Sequence, residues 1–157
     1  MRSTVLCLTL LVALSACETS TDPFIGIGGS GPTAAQVTGN WAFTLHPSPS
    51  CGSGSLPDGQ ILTARLDVLA DGTVTNATST WQTAGIFGTV TGFVNLTSGV
   101  TTPPLTLTAT AGSAMELAGT FTSAGSFSGT VTDPKAGSFT VFSASLCSYS
   151  TTGVKTS

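Results

Sequence analysis

Apolar residues recur at every second position along much of the chain. Trp41, Phe43 and Leu45 alternate with Ala42, Thr44 and His46, and Leu62, Ala64, Leu66 and Val68 alternate with Thr63, Arg65 and Asp67. Successive side chains of a strand point to opposite faces, so a period of two predicts strands with one buried and one solvated face. The pattern predicts eight such strands, near residues 41–45, 61–70, 73–81, 86–96, 105–110, 114–122, 125–132 and 138–146. Thr33 to Val37 reads as a single helical turn ahead of the first. Asp71-Gly72 is a strong hairpin signal, and Ala111-Gly112-Ser113, Ser123-Ala124-Gly125 and residues 133–137 are short joints. Short joints make consecutive strands antiparallel neighbours, which gives a meander. Two edges stay unpaired unless the meander closes. Closure at this strand number leaves an interior filled by side chains or by one small ligand. The expected fold class is therefore all-β: a single antiparallel eight-stranded meander forming a closed or nearly closed barrel, with a β-sandwich as the alternative.

Two stretches depart from this alternation before the first strand. Met1-Arg2 precedes an apolar run from Val5 to Leu14, the architecture of a secretory signal and well short of the ~20 residues that span a bilayer. Residues 18–33 are rich in Gly, Ser, Thr and Pro, the composition of a flexible linker. Within them Gly26-Ile27-Gly28-Gly29-Ser30-Gly31 has no strand before it and no Lys-Ser or Lys-Thr after it, so it reads as tether rather than phosphate loop. The expected organisation is a signal peptide at 1–16, Cys17 with a tether to residue 38, a β domain at 39–150 and a tail at 151–157. Residues 46–60 form the domain's one long loop.

At the junction of signal and tether, Leu14-Ser15-Ala16-Cys17 resembles the bacterial lipobox. That resemblance implies cleavage before Cys17 and lipidation of its thiol and new amino terminus by acyl chains such as palmitate. An ordinary signal peptide cut after Ala16 is the alternative. Each buried methylene contributes about 0.8 kcal/mol, and more than one chain holds durably. The implied partner is a membrane that the chain sits on without crossing. Glu18, where an aspartate would imply retention at the inner membrane, points to the outer membrane of a cell envelope.

Gly39-Asn40-Trp41, behind the single helical turn, resembles the Gly-X-Trp signature of lipocalins and the wider calycin group. The long loop after the first strand is similar to their mouth-covering loop. The resemblance implies a binding barrel, here for a small apolar ligand or an envelope protein. Two departures stand out: the expected last strand holds no arginine to stack on the tryptophan, and no room remains for a carboxy-terminal helix. Other readings are an adhesion or structural module of sandwich type without a pocket, and an enzyme inhibitor presenting residues 46–60.

With Cys17 acylated, Cys51 and Cys147 remain as an even pair in an exported domain, which reads as a disulfide. A loop of about a hundred residues closed in this way restricts the unfolded chain by roughly 4–5 kcal/mol. In an ideal eight-strand meander the two cysteines fall at opposite ends of the barrel. Either the long loop folds back along the wall or the strand count shifts by one.

Candidate chemistry is sparse. Only 7% of residues are charged, against the usual ~25%, and the balance is acidic, which argues against nucleic acid as a partner. His46 is the single histidine, no residue between Gly72 and Met115 is charged, and Asp58, Asp71 and Asp133 occupy turn positions. No serine stands in a Gly-X-Ser-X-Gly elbow. These features predict no enzyme, no metal site and no cofactor. Trp41, Phe43 and Trp81, with Phe87, Phe93, Phe121, Phe127, Phe139 and Phe142, are candidates to contact an apolar ligand, although such residues more often simply form the core. Gly88, Gly92, Gly119 and Gly129 would leave room inside a barrel, or mark bends.

Overall fold

The computed structural model describes residues 31–49, 51, 55–132 and 147–157. The chain enters through α1 (Ala34–Val37), then forms β1 (Gly39–Pro47), β2 (Gln60–Leu66), β3 (Thr73–Val74), β4 (Thr80–Thr83), β5 (Ile86–Phe93), β6 (Leu105–Ala109), β7 (Ala114–Phe121), β8 (Ser126–Thr132) and β9 (Ser148–Lys155). Eight of these strands pair in a ring, β1-β2-β4-β5-β6-β7-β8-β9 and back to β1, and every pairing is antiparallel. The barrel is closed, as the alternation of the sequence predicts, and β3 is a short ninth strand laid against β5.

Two strands differ from expectation. Residues 73–81 split into β3 and β4 because Asp67 draws the chain between them back toward β2. The Asp67 carboxylate accepts from the Thr78 hydroxyl, and its backbone N–H donates to Ser79 Oγ at 2.9 Å. The closing strand is β9, Ser148–Lys155, whereas the segment expected to close the sheet, 138–146, lies outside the described residues. The stretch assigned to a tail is thus largely strand, and Thr156 and Ser157 bond to the backbone of Asn40. At the other end of the domain, residues 31–38, assigned to the tether, are folded.

This shift places both cysteines at one end of the barrel. Cys51 follows the end of β1 and Cys147 immediately precedes β9, while Pro47 and Tyr149 pair in register beside them. The Cys51–Cys147 disulfide spans 96 positions with its Cα atoms 5.0 Å apart. Leu56, from the long loop, is buried at this far end, and its N–H donates to the Tyr149 hydroxyl at 3.1 Å.

The opposite, near end is closed by α1. Thr33 and Gln36 form a reciprocal capping box, with the Thr33 N–H donating to Gln36 Oε1 at 2.8 Å and the Gln36 N–H to Thr33 Oγ1 at 3.3 Å. Val37 is fully buried, and Trp41 Nε1 donates to the Val37 carbonyl at 2.7 Å. Lys155 pairs with Trp41 in register and sends its ammonium to the Ala35 carbonyl at 3.0 Å. The residue across from the tryptophan in the last strand is thus a lysine, beyond residue 146, whose ammonium caps α1 rather than the ring.

Inward-facing side chains fill the space between these ends. Trp41, Phe43, Phe121 and Phe127 make a continuous aromatic column. Trp41 meets Phe121 edge-on at 4.9 Å, Phe43 meets Phe127 edge-on at 5.3 Å, and Phe121 and Phe127 are 4.7 Å apart. Around them Leu45, Leu62, Leu66, Leu105, Leu107, Met115 and Leu117 are all essentially inaccessible. Each such burial contributes about 1.5–3 kcal/mol. Glycine makes the column fit. A Cβ on Gly153 would stand 2.5 Å from the Phe43 ring and 3.2 Å from Phe127, and one on Gly129 would stand 2.8 Å from the Phe127 ring.

Two stability tests follow from this packing. Replacing both Cys51 and Cys147 by serine lowers unfolding free energy by about 2–4 kcal/mol, read as a fall in denaturant midpoint. Gly153→Val, which drives a branched side chain into Phe43, costs at least about 1–3 kcal/mol in the same measurement. An unchanged midpoint for Gly153→Val would show that the aromatic column is not tightly packed.

Candidate binding groove on the outer wall

Trp41, Phe43 and Trp81, the candidate ligand contacts, are placed in the core. They are 1%, 0% and 2% exposed and face other protein groups; the Trp81 indole N–H donates to the Thr108 carbonyl at 3.4 Å. The interior glycines leave no vacancy either. A Cβ on Gly119 would overlap the Phe127 ring, one on Gly88 the backbone of Thr108, and one on Gly92 would stand 2.8 Å from the Leu105 side chain. Phe121 and Phe127 join the core, whereas Phe87 and Phe93 point outward.

Outside the barrel the alternation puts short hydroxyl and amide side chains on the wall. At the near end of β1, β2, β4 and β5 they border a groove of about 460 Å³. Two cross-strand rows build it. Ala42, Thr63, Gln82 and Phe87 lie opposite one another on successive strands, and Asn40, Arg65 and Thr80 form the parallel row below. Ala42 is the smallest side chain in these rows and leaves the hollow between them. Thr156, past the end of β9, also lines it, and Trp41, Ala64, Trp81 and Gly88, in the strand row between these two, border its floor although the tryptophan rings are buried.

The chemistry of this lining is distinct. Among the described residues, the side chains of Thr63, Arg65, Thr80 and Gln82 have no protein partner in a hydrogen bond or ion pair. Asn40 uses its amide nitrogen on Ser157 Oγ at 2.7 Å and keeps its oxygen turned to no donor among them. Phe87 is 61% exposed. No carboxylate lines the groove, although the chain as a whole carries net negative charge. The groove therefore offers one guanidinium, two amides, three hydroxyls and an exposed aromatic ring, and among the described residues Arg65 forms no ion pair, Asp67 two residues on being engaged by Thr78.

Other polar groups are accounted for locally. His46 Nδ1 and Asp58 Oδ1 are 2.7 Å apart across the mouth of the long loop, with side chains 48% and 75% exposed. A solvated pair of this kind contributes about 0–1 kcal/mol. Asp71 accepts from the Thr73 N–H at 2.9 Å, and that bond holds its carboxyl below the ordinary range. Asp71 is thus an Asx-type turn residue, as its place in Asp71-Gly72 suggests. Among the described residues no group of three His, Cys, Asp or Glu side chains comes together as a metal site, and no helix is long and apolar enough to cross a membrane. Cys17 lies outside the described residues.

Sequence reasoning named three of the residues that line the groove, Trp41, Trp81 and Phe87, but as contacts of an interior pocket, and it read Arg65 only as a lone arginine on the polar face of a strand. Concavity on an outer wall arises from the coiling of four neighbouring strands, which alternation does not encode. Compared with protein-family models, curated proteins and solved structures, the chain has no significant match.

Proposed function

We propose that this protein is a lipid-anchored component of a bacterial cell envelope that binds an envelope partner through the outer wall of its barrel. The lipobox at residues 14–17 and the Gly, Ser and Thr tether after it support the anchor. The observation that carries the binding mode is the pairing of a filled interior with the open groove over Ala42. A barrel whose axis is occupied by Trp41, Phe43, Phe121 and Phe127 has no room for an apolar guest unless that column is displaced. Its wall offers free hydrogen-bonding groups, which suits a polar partner held against the cell surface.

The long loop supports a lid rather than a presented inhibitory segment. Leu56 is buried in the far end, and Cys51 is tied to the root of β9. A loop spending its apolar side chain on the core keeps little to insert elsewhere.

Ala42→Trp fills the groove from a half-exposed position on the wall and leaves the core untouched. The expected result is loss of co-sedimentation between the mature protein in detergent and isolated envelope fragments, with an unchanged melting temperature. Retained co-sedimentation would place recognition elsewhere on the wall. The anchor is tested by Cys17→Ala, which should move the protein out of the membrane fraction; continued fractionation with membranes sinks the lipoprotein reading.

A further inference from the structure

The geometry points to a carboxylated saccharide, a sugar chain bearing uronic-acid groups, as the ligand of the groove over Ala42. This inference rests on the outer-wall reading above and adds the chemical class of the partner.

Four observations converge on it. The groove of about 460 Å³ has the volume of an ordinary small-ligand site and extends along the sheet, which suits a chain rather than a point ligand. Its polar groups are Asn40, Thr63, Thr80, Gln82 and Thr156, amides and hydroxyls that pair with the alternating donors and acceptors of sugar hydroxyls. The four polar side chains on β2 and β4 carry no protein partner among the described residues, so a ligand displaces water from them without breaking protein bonds. Phe87, 61% exposed at the end of the Ala42 row, presents a ring against which the C–H face of a sugar can pack.

Arg65 fixes the charge. A guanidinium presents a planar fork that matches a carboxylate with two parallel hydrogen bonds. Arg65 lies next to Thr80 across β4 and next to Asn40 across β1, so its row can hold a carboxylate and the hydroxyls beside it. Among the described residues no acid lines the groove itself, and Asp67, two residues beyond Arg65, makes no ion pair with it and accepts instead from the Thr78 hydroxyl. A lone guanidinium in such surroundings attracts one negative group. A neutral glycan would leave that guanidinium unanswered, and a protein partner of comparable affinity would need more contact area than the groove supplies.

The test is calorimetric titration of the mature protein in detergent with tetragalacturonate, and with its fully methyl-esterified form as a neutral probe of the same shape. Saturable binding of the acid and much weaker binding of the ester are expected. Arg65→Gln should weaken the acid by about tenfold or more, Arg65→Lys should recover part of that loss, and Ser150→Ala, at the far end of the barrel and outside the groove's lining, should change nothing. Both sites are exposed, and unchanged melting temperatures check folding. Equal affinity for acid and ester, no heat from either, or an Arg65→Gln variant that binds as the parent does would each overturn the assignment. If tetragalacturonate fails while Ala42→Trp still abolishes envelope co-sedimentation, the saccharide class falls and the groove stands.

Discussion

An antiparallel sheet carries a row of unpaired N–H and C=O groups along each outer strand until those strands meet. Here they meet along seven residue pairs, from Trp41–Lys155 to Pro47–Tyr149, and the rest of the structure is arranged around that seam. Near its two ends the seam is reinforced by different chemistry. At the near end Asn40 and the last two residues exchange backbone and side-chain hydrogen bonds, and Lys155 reaches the carbonyl of Ala35. At the far end the disulfide ties Cys51 to the residue before β9. The buried hydroxyl of Thr151 donates to the Thr44 carbonyl at 2.8 Å, so the seam adds a side-chain bond to its ladder.

A closed ring of eight strands has a narrow axis, and this chain spends that axis on aromatic rings. Large inward side chains from β1, β7 and β8 interlock only because glycine stands opposite them on β7, β8 and β9. The trade is dispersion and rigidity for internal volume. Recognition is thereby displaced to the exterior, where the polar half of each strand's alternation already stands. Low charge on that surface makes a single arginine a specific feature, since few other formal charges mask its field.

Legibility of the fold tracked how strongly each strand's inner face is apolar. β1 and β2, with Trp41, Phe43, Leu45, Leu62, Ala64 and Leu66 turned inward, stand out at once. β9 does not, because its inner positions include Thr151 and Gly153, chosen so that Phe43 and Phe127 can occupy the space above them. The strand with the least apolar signal is therefore the one that closes the barrel. The division of 73–81 was hidden for another reason: the only break in its threonine pattern is a one-residue shift of phase between Thr75 and Thr78, at a turn that Asp67 holds by hydrogen bonds. The disulfide was readable from cysteine count, but its geometry made sense only once β9 had moved to its proper place. Of the groove, the individual polar residues were visible and their convergence was not, because it depends on register between four strands and on one small side chain, Ala42, at the centre.

The seam joins the first strand made to the last. A chain emerging amino end first holds β1 for more than a hundred residues before its second neighbour exists, and β1 carries Trp41, Phe43 and Leu45 through that interval. Contacts of such long range are slow to form. Ring completion and cysteine pairing both wait for the same final segment, so maturation ends in one concerted event. Until then β1 has a strand neighbour on one side only, and its other edge stays unpaired.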